Sequence, residues 1–136
     1  MTIDSKTETS GKFAQLMQVG KHSLRADMPQ DEGGEDSGPG PHDYFDAALI
    51  ACKTLTATWF AKKKGIALER VEGQVERDDS AERQGKYVLK VRLAYFGALS
   101  DDDKKRIHAA VERCPVHKLM TTTEIVIETA PLEAVA

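Results

Sequence analysis

The stretch Gly40-Pro41-His42-Asp43-Tyr44-Phe45-Asp46-Ala47-Ala48-Leu49-Ile50-Ala51-Cys52-Lys53-Thr54-Leu55-Thr56-Ala57-Thr58-Trp59-Phe60-Ala61-Lys62-Lys63-Lys64-Gly65 decides the fold. Gly40 is placed as N-cap. Proline suits the first turn, because its missing N–H would be unpaired there in any case. Asp43 puts negative charge at the positive end of the helix dipole, and Lys62, Lys63 and Lys64 put positive charge at the other end. Gly65 supplies a left-handed residue to stop the helix. One helix over Pro41–Lys64 is predicted. Phe45, Ala48, Leu49, Cys52, Leu55, Thr56 and Trp59 fall on one stripe at helical spacing, and Ala47, Ile50, Ala51, Thr54 and Ala61 cover much of the remainder. A helix that is apolar nearly all round is buried on most sides. A chain of 136 residues has little material to enclose such a helix, so a partner subunit supplying one wall is expected.

Outward from the helix, the signals alternate. Lys12 to Leu16 and His22 to Ala26 read as two strands joined by a turn at Gly20-Lys21, and residues 1–11 as a frayed end. Asp27 to Gly40, rich in Gly, Pro, Asp and Glu, reads as a loop. Val71 to Arg77 and Tyr87 to Tyr95 read as strands, the second with its odd-numbered residues inward. Ser100 is placed to cap a helix that carries Asp101, Asp102 and Asp103 in its first turn and runs to about Arg113. Glu124 to Thr129 reads as a closing strand. This order gives a single α+β domain without internal repeats.

Bulk properties narrow the function. A net charge of −3 argues against a non-specific nucleic-acid binder, which usually carries a basic face. No run approaches the roughly 18 apolar residues of a membrane span. The polar start, Met1 to Ser10, does not read as a secretory signal. The chain reads as cytoplasmic, where a disulfide is usually transient.

The two cysteines carry the chemistry, and residue types alone leave three readings open: a peroxide-reducing couple, two metal ligands, or two inert core residues. Cys52 lies on the apolar stripe, and free cysteine is among the most buried residue types. Cys114 follows Arg113 and precedes His117 and Lys118. If Pro115 starts a helix, the thiol sits at its N-terminus, where a thiolate is favoured. Cys114 and His117 have the spacing of a metal-ligand pair, and Cys52, His22, His42 or His108 would have to complete the set. His22 and His108 read as solvated, and Arg25 as a surface residue unless the fold brings it to a thiol.

Gly38-Pro39-Gly40-Pro41-His42-Asp43-Tyr44-Phe45-Asp46-Ala47-Ala48-Leu49-Ile50-Ala51-Cys52, followed by Thr54 and Thr56, resembles the first cysteine motif of the OsmC/Ohr family of thiol peroxidases. Arg113-Cys114-Pro115-Val116-His117-Lys118-Leu119-Met120 resembles that family's second cysteine segment. Asp27-Met28-Pro29 through Gly33-Gly34, Gly85-Lys86-Tyr87 and Gly97-Ala98-Leu99-Ser100 fit as well, so the resemblance runs from Phe13 to Glu128. It implies an intertwined α+β homodimer, with a long buried central helix packed against antiparallel sheets and two sites at the subunit interface.

The resemblance also implies a reaction without a cofactor. Cys52 would attack an organic hydroperoxide and become a sulfenic acid. Cys114 would condense with it to a disulfide, and an external dithiol, a lipoyl-protein or a small thiol, would restore both. Phe45, Leu49 and Trp59 would receive the apolar part of the substrate. The hydroperoxide-resistance branch pairs a glutamate at the start of this helix with an N-terminal arginine. Here Asp43 and Arg25 stand nearest to that pair, which places the chain closer to the broader OsmC-like branch. The alternative function is a non-catalytic member of the family that binds an apolar ligand at the dimer interface.

Overall fold

The computed structural model describes residues 1–132, as an α+β chain of five strands and three α-helices. β1 (Ile3–Thr7), β2 (Gln15–Val19) and β3 (His22–Ala26) form one antiparallel sheet in that order. α1 spans Pro41–Lys64. β4 (Leu68–Asp78) and β5 (Val88–Gly97) pair as a second, two-stranded sheet. α2 (Asp101–Val111) and α3 (Pro115–Thr121) follow. The contacts cluster in two compact units, residues 1–50 with 75–91, and residues 51–74 with the described residues from 92 onward.

In the first unit, Val19 pairs with His22, which leaves Gly20-Lys21 as a two-residue hairpin turn with Gly20 at φ 59°. The segment expected to be frayed instead forms β1, with Ile3 opposite Val19 and Thr7 opposite Gln15. Every β1 side chain is exposed, so the strand is held by backbone pairing and has no apolar alternation to announce it. The loop from Asp27 is organised by one carboxylate. Asp27 accepts from the N–H groups of Met28 (2.7 Å), Ser37 (3.0 Å) and Glu35 (3.3 Å), and from the Ser37 hydroxyl (2.6 Å). Those donors hold its pKa down at about 2, the Ser37 hydroxyl contributing most. The start of α1 is tied by Asp43, which accepts from the Gly40 N–H at 2.9 Å.

In the second unit, α1 stops where the lysines and glycine predict. Gly65 adopts φ 66°, and the Ile66 N–H closes on the Ala61 carbonyl at 2.9 Å. Ala57 and Ala61 of α1 pack with Ile107 and Val111 of α2, all essentially buried. Half-buried Leu93 and Tyr95 of β5 pack against this core, while Arg92, Ala94 and Phe96 are exposed, as the alternation predicts. Full burial of Ile107 or Val111 contributes about 1.5–3 kcal/mol each. Ser100 caps α2 in a reciprocal box, accepting from the Asp103 N–H at 3.0 Å while its own N–H donates to Asp103 Oδ2. The closing strand expected over Glu124 to Thr129 is not formed among the described residues: this segment has no regular secondary structure, and Ile125, Val126 and Ile127 are 63–85% exposed. A strand exists only with a neighbour to bond, and this segment finds none among the described residues.

Candidate active site at a cysteine corner

The helix pattern is right in extent, but its inward stripe is shifted. In α1 the buried residues are Asp46, Leu49, Lys53, Ala57 and Ala61. Two of the five are charged. Phe45, Leu55 and Trp59 are 47%, 68% and 60% exposed, so the chain leaves much of the predicted apolar stripe uncovered. Each charged member of the inward stripe organises a polar cluster in its own unit.

The second unit holds both thiols, and both are free. Cys52 is half-buried on α1, with its sulfur 4.0 Å from Thr56 Oγ1. Cys114 is fully buried at the corner between α2 and α3. As predicted for Pro115, a new helix begins there and Cys114 is its N-cap residue. The same corner is bound by Lys53, which is only 4% exposed. Its Nζ donates to the Val111 carbonyl at 3.1 Å and lies 3.1 Å from His117 Nδ1. The Val111 carbonyl also accepts from the Cys114 N–H at 3.2 Å. An ammonium group offers only donors, so this contact is a hydrogen bond when Nδ1 of His117 is the acceptor.

Burial pushes the Cys114 thiol up from its ordinary pKa, and the neighbouring Cys52 side chain pushes the same way. The His117 backbone N–H and the Lys53 charge pull it back. This corner therefore brings together two reduced thiols, one cation and one imidazole. Two thiols that reach each other can condense when one is oxidised. Among the described residues no group of three or more His, Cys, Asp or Glu side chains is arranged to hold a metal ion.

The first unit places Asp43 and Arg25 differently from expectation. They do not pair with one another. Arg25 is exposed on β3 and bonded through Nε and Nη2 to both oxygens of Glu8, at 2.8 and 2.6 Å, because the residue following β1 presents a carboxylate matched to its fork. Asp43 instead accepts from Arg77 Nη2 at 2.7 Å. Arg77 Nε donates to buried Asp46 at 2.6 Å, and the Tyr87 hydroxyl donates to the other Asp46 oxygen at 2.7 Å. Burial first, then this bond, pushes the Tyr87 phenol up to about 12. Asp43, Asp46 and Arg77 line a groove of about 360 Å³ with Ala47, Ile50 and Val75.

Of the three residues expected to meet substrate, Leu49 is buried and Phe45 packs edge-on to Tyr87 with ring centroids 5.8 Å apart. Trp59 is exposed, with Lys63 Nζ 4.9 Å from its ring. Sequence reasoning missed Lys53, Asp46 and Arg77. The available signal was a pair of charged residues seven apart in a helix otherwise apolar on that side.

The chain has an α+β fold with two free thiols in one compact unit, and it matches the family model for OsmC-like protein over residues 34–130. The chain belongs to that family. Among solved structures, it is similar to an OsmC-like protein from Mycoplasma pneumoniae, with TM-score 0.68, 22% identity, and 89% of this chain and 86% of that one covered. It is also similar to the organic hydroperoxide resistance protein OsmC from Legionella pneumophila, with TM-score 0.60, 22% identity and 90% of each chain covered. A third is the organic hydroperoxide resistance protein OhrB of Bacillus subtilis, with TM-score 0.56, 23% identity, and 89% and 90% covered. No curated protein matches the sequence. Among the described residues no helix is long and apolar enough to cross a membrane.

Proposed function

We infer that the protein is a cysteine-based reductase of organic hydroperoxides. The Cys52 thiolate attacks the terminal oxygen of the hydroperoxide. The O–O bond breaks, the alcohol leaves with one added proton, and Cys52 becomes a sulfenic acid. The Cys114 sulfur then displaces the sulfenic oxygen as water, which takes up the proton Cys114 loses, and a Cys52–Cys114 disulfide forms. An external dithiol returns both thiols by exchange and is itself oxidised to a disulfide.

The observation that carries this reading is the neighbouring placement of two free thiols in one compact unit. The family membership and the names of two structural neighbours support the substrate class. The uncovered apolar side chains of α1, Leu55 and Trp59 foremost, and the unpaired segment around Ile125 support a homodimer that covers them. Phe45, Leu49 and Trp59 are the groups we assign to the apolar part of the substrate.

The test is consumption of an alkyl hydroperoxide in the presence of excess dithiol. Wild type turns over and Cys52→Ser does not. Full activity in Cys52→Ser would refute the assignment. Hydroperoxide that leaves both thiols free would favour the non-catalytic ligand-binding reading.

A further inference from the structure

Lys53 is a lysine with almost no exposure in a chain whose other charged helix residues reach solvent or a counter-ion. Among the described residues no ion pair involves it. Keeping an ammonium group out of water without a carboxylate is costly, and the two neutral acceptors it has, the Val111 carbonyl and His117 Nδ1, offset only part of that. Both acceptors belong to the corner that carries Cys114, and Val111 O binds Lys53 Nζ and the Cys114 N–H together. A leucine or methionine would fill the same space more cheaply. A cation fixed at this corner makes physical sense if an anion forms beside it, and of the two thiols there Cys114 is the fully buried one, with its N–H on the same carbonyl that binds Lys53.

The geometry points to Lys53 as a positioning residue for the resolving step. Its charge, fixed by Val111 O and His117 Nδ1, stabilises the Cys114 thiolate that attacks oxidised Cys52. This rests on the proposed peroxidase reading for the second half, while the effect on Cys114 stands without it. The Cys114 proton ends on the departing sulfenic oxygen, the S–O bond breaks and the S–S bond forms. Lys53 exchanges no atom and lowers the energy of the anion on the way.

The experiment uses the full chain with Cys52→Ser, which leaves Cys114 as the one thiol, and follows its titration by NMR of isotope-labelled cysteine. Lys53→Gln keeps a donor for Val111 O and removes the charge. It is expected to lower the thiolate fraction at a given pH about tenfold, the usual effect of losing a nearby opposite charge. Lys53→Arg is expected to restore most of it. An unchanged titration in a folded Lys53→Gln protein would reduce Lys53 to a cap on α2 and overturn the proposal. Should the glutamine variant not fold, Lys53→Met, with no polar group to bury, makes the same comparison. In the chain that retains Cys52, the same substitution should slow disulfide formation about tenfold after a hydroperoxide pulse and let sulfinic acid accumulate at Cys52. If wild-type Cys52 is not oxidised by hydroperoxide at all, the peroxidase reading fails, and the Cys114 titration still decides the role of Lys53.

Discussion

Lys53 Nζ lies 3.1 Å from His117 Nδ1, and this contact joins α1 to the segment that follows the second cysteine. Through it the residue next to Cys52 in sequence is fixed to the corner that buries Cys114. The second cysteine's corner is thus tied by a polar contact to one of the two charged residues on the inward stripe of α1.

If Cys114 is the resolving thiol, Cys114→Ser should leave the first turnover intact and cripple the cycle. A rapid-mixing measurement should show one equivalent of alcohol formed per site. Steady-state turnover with dithiol should fall at least about tenfold, and mass spectrometry should find sulfinic acid on Cys52. Full steady-state turnover would remove Cys114 from the mechanism.

The Asp46 carboxylate depends on Arg77 and Tyr87 for its hydrogen bonds. Arg77→Met leaves a buried charge short of its cation and should cost about 3 kcal/mol in denaturant unfolding. Adding Asp46→Asn removes that isolated charge and should recover more than half of the loss. Asp43 is 56% exposed, so Asp43→Ala should cost about 1 kcal/mol, chiefly from its bond to the Gly40 N–H.

Asp27 gives the loop before α1 a defined acid sensitivity. Its folded pKa of about 2 lies below the roughly 3.9 of an unfolded aspartate. A depressed pKa means the unfolded chain binds the proton more readily, so this stabilisation is present above about pH 4 and is lost as pH falls towards about 2. Asp27→Asn should therefore be less stable than wild type at neutral pH, and the difference should shrink through that window. Unfolding midpoints measured at a series of pH values check it. A constant difference would mean that charge on Asp27 is not what organises the loop.

A second copy covering α1 should depend on Trp59, which is 60% exposed in the single chain. Trp59→Glu should weaken the dimer by about 2 kcal/mol or more, as loss of a buried aromatic anchor does at other interfaces. Sedimentation of wild type as a dimer and of the variant as a monomer at the same concentration is the expected result. A monomeric wild type would leave the exposed stripe without its proposed cover.

The extent of α1 was legible because its signals are local: proline and aspartate at one end, three lysines and Gly65 at the other. The hairpin at Gly20-Lys21 and the Ser100 cap were legible for the same reason. What escaped depends on distant partners. Lys53 and Asp46 are charged residues in a helix read as apolar nearly all round, and their partners Val111, His117 and Arg77 arrive from later elements. Arg25 and Asp43 carried suitable charges, but Glu8 and Arg77 compete for them, and no spacing in the sequence ranks those contacts. Both cysteine positions were visible in the sequence. The Lys53 contact that ties them to one corner came only with the fold.

The most direct measurement is peptide mapping after one equivalent of an alkyl hydroperoxide, with no reductant present. The expected result is a single Cys52–Cys114 disulfide within the chain, formed with release of one equivalent of alcohol. Two thiols that stay free while the hydroperoxide remains intact would contradict the proposed chemistry.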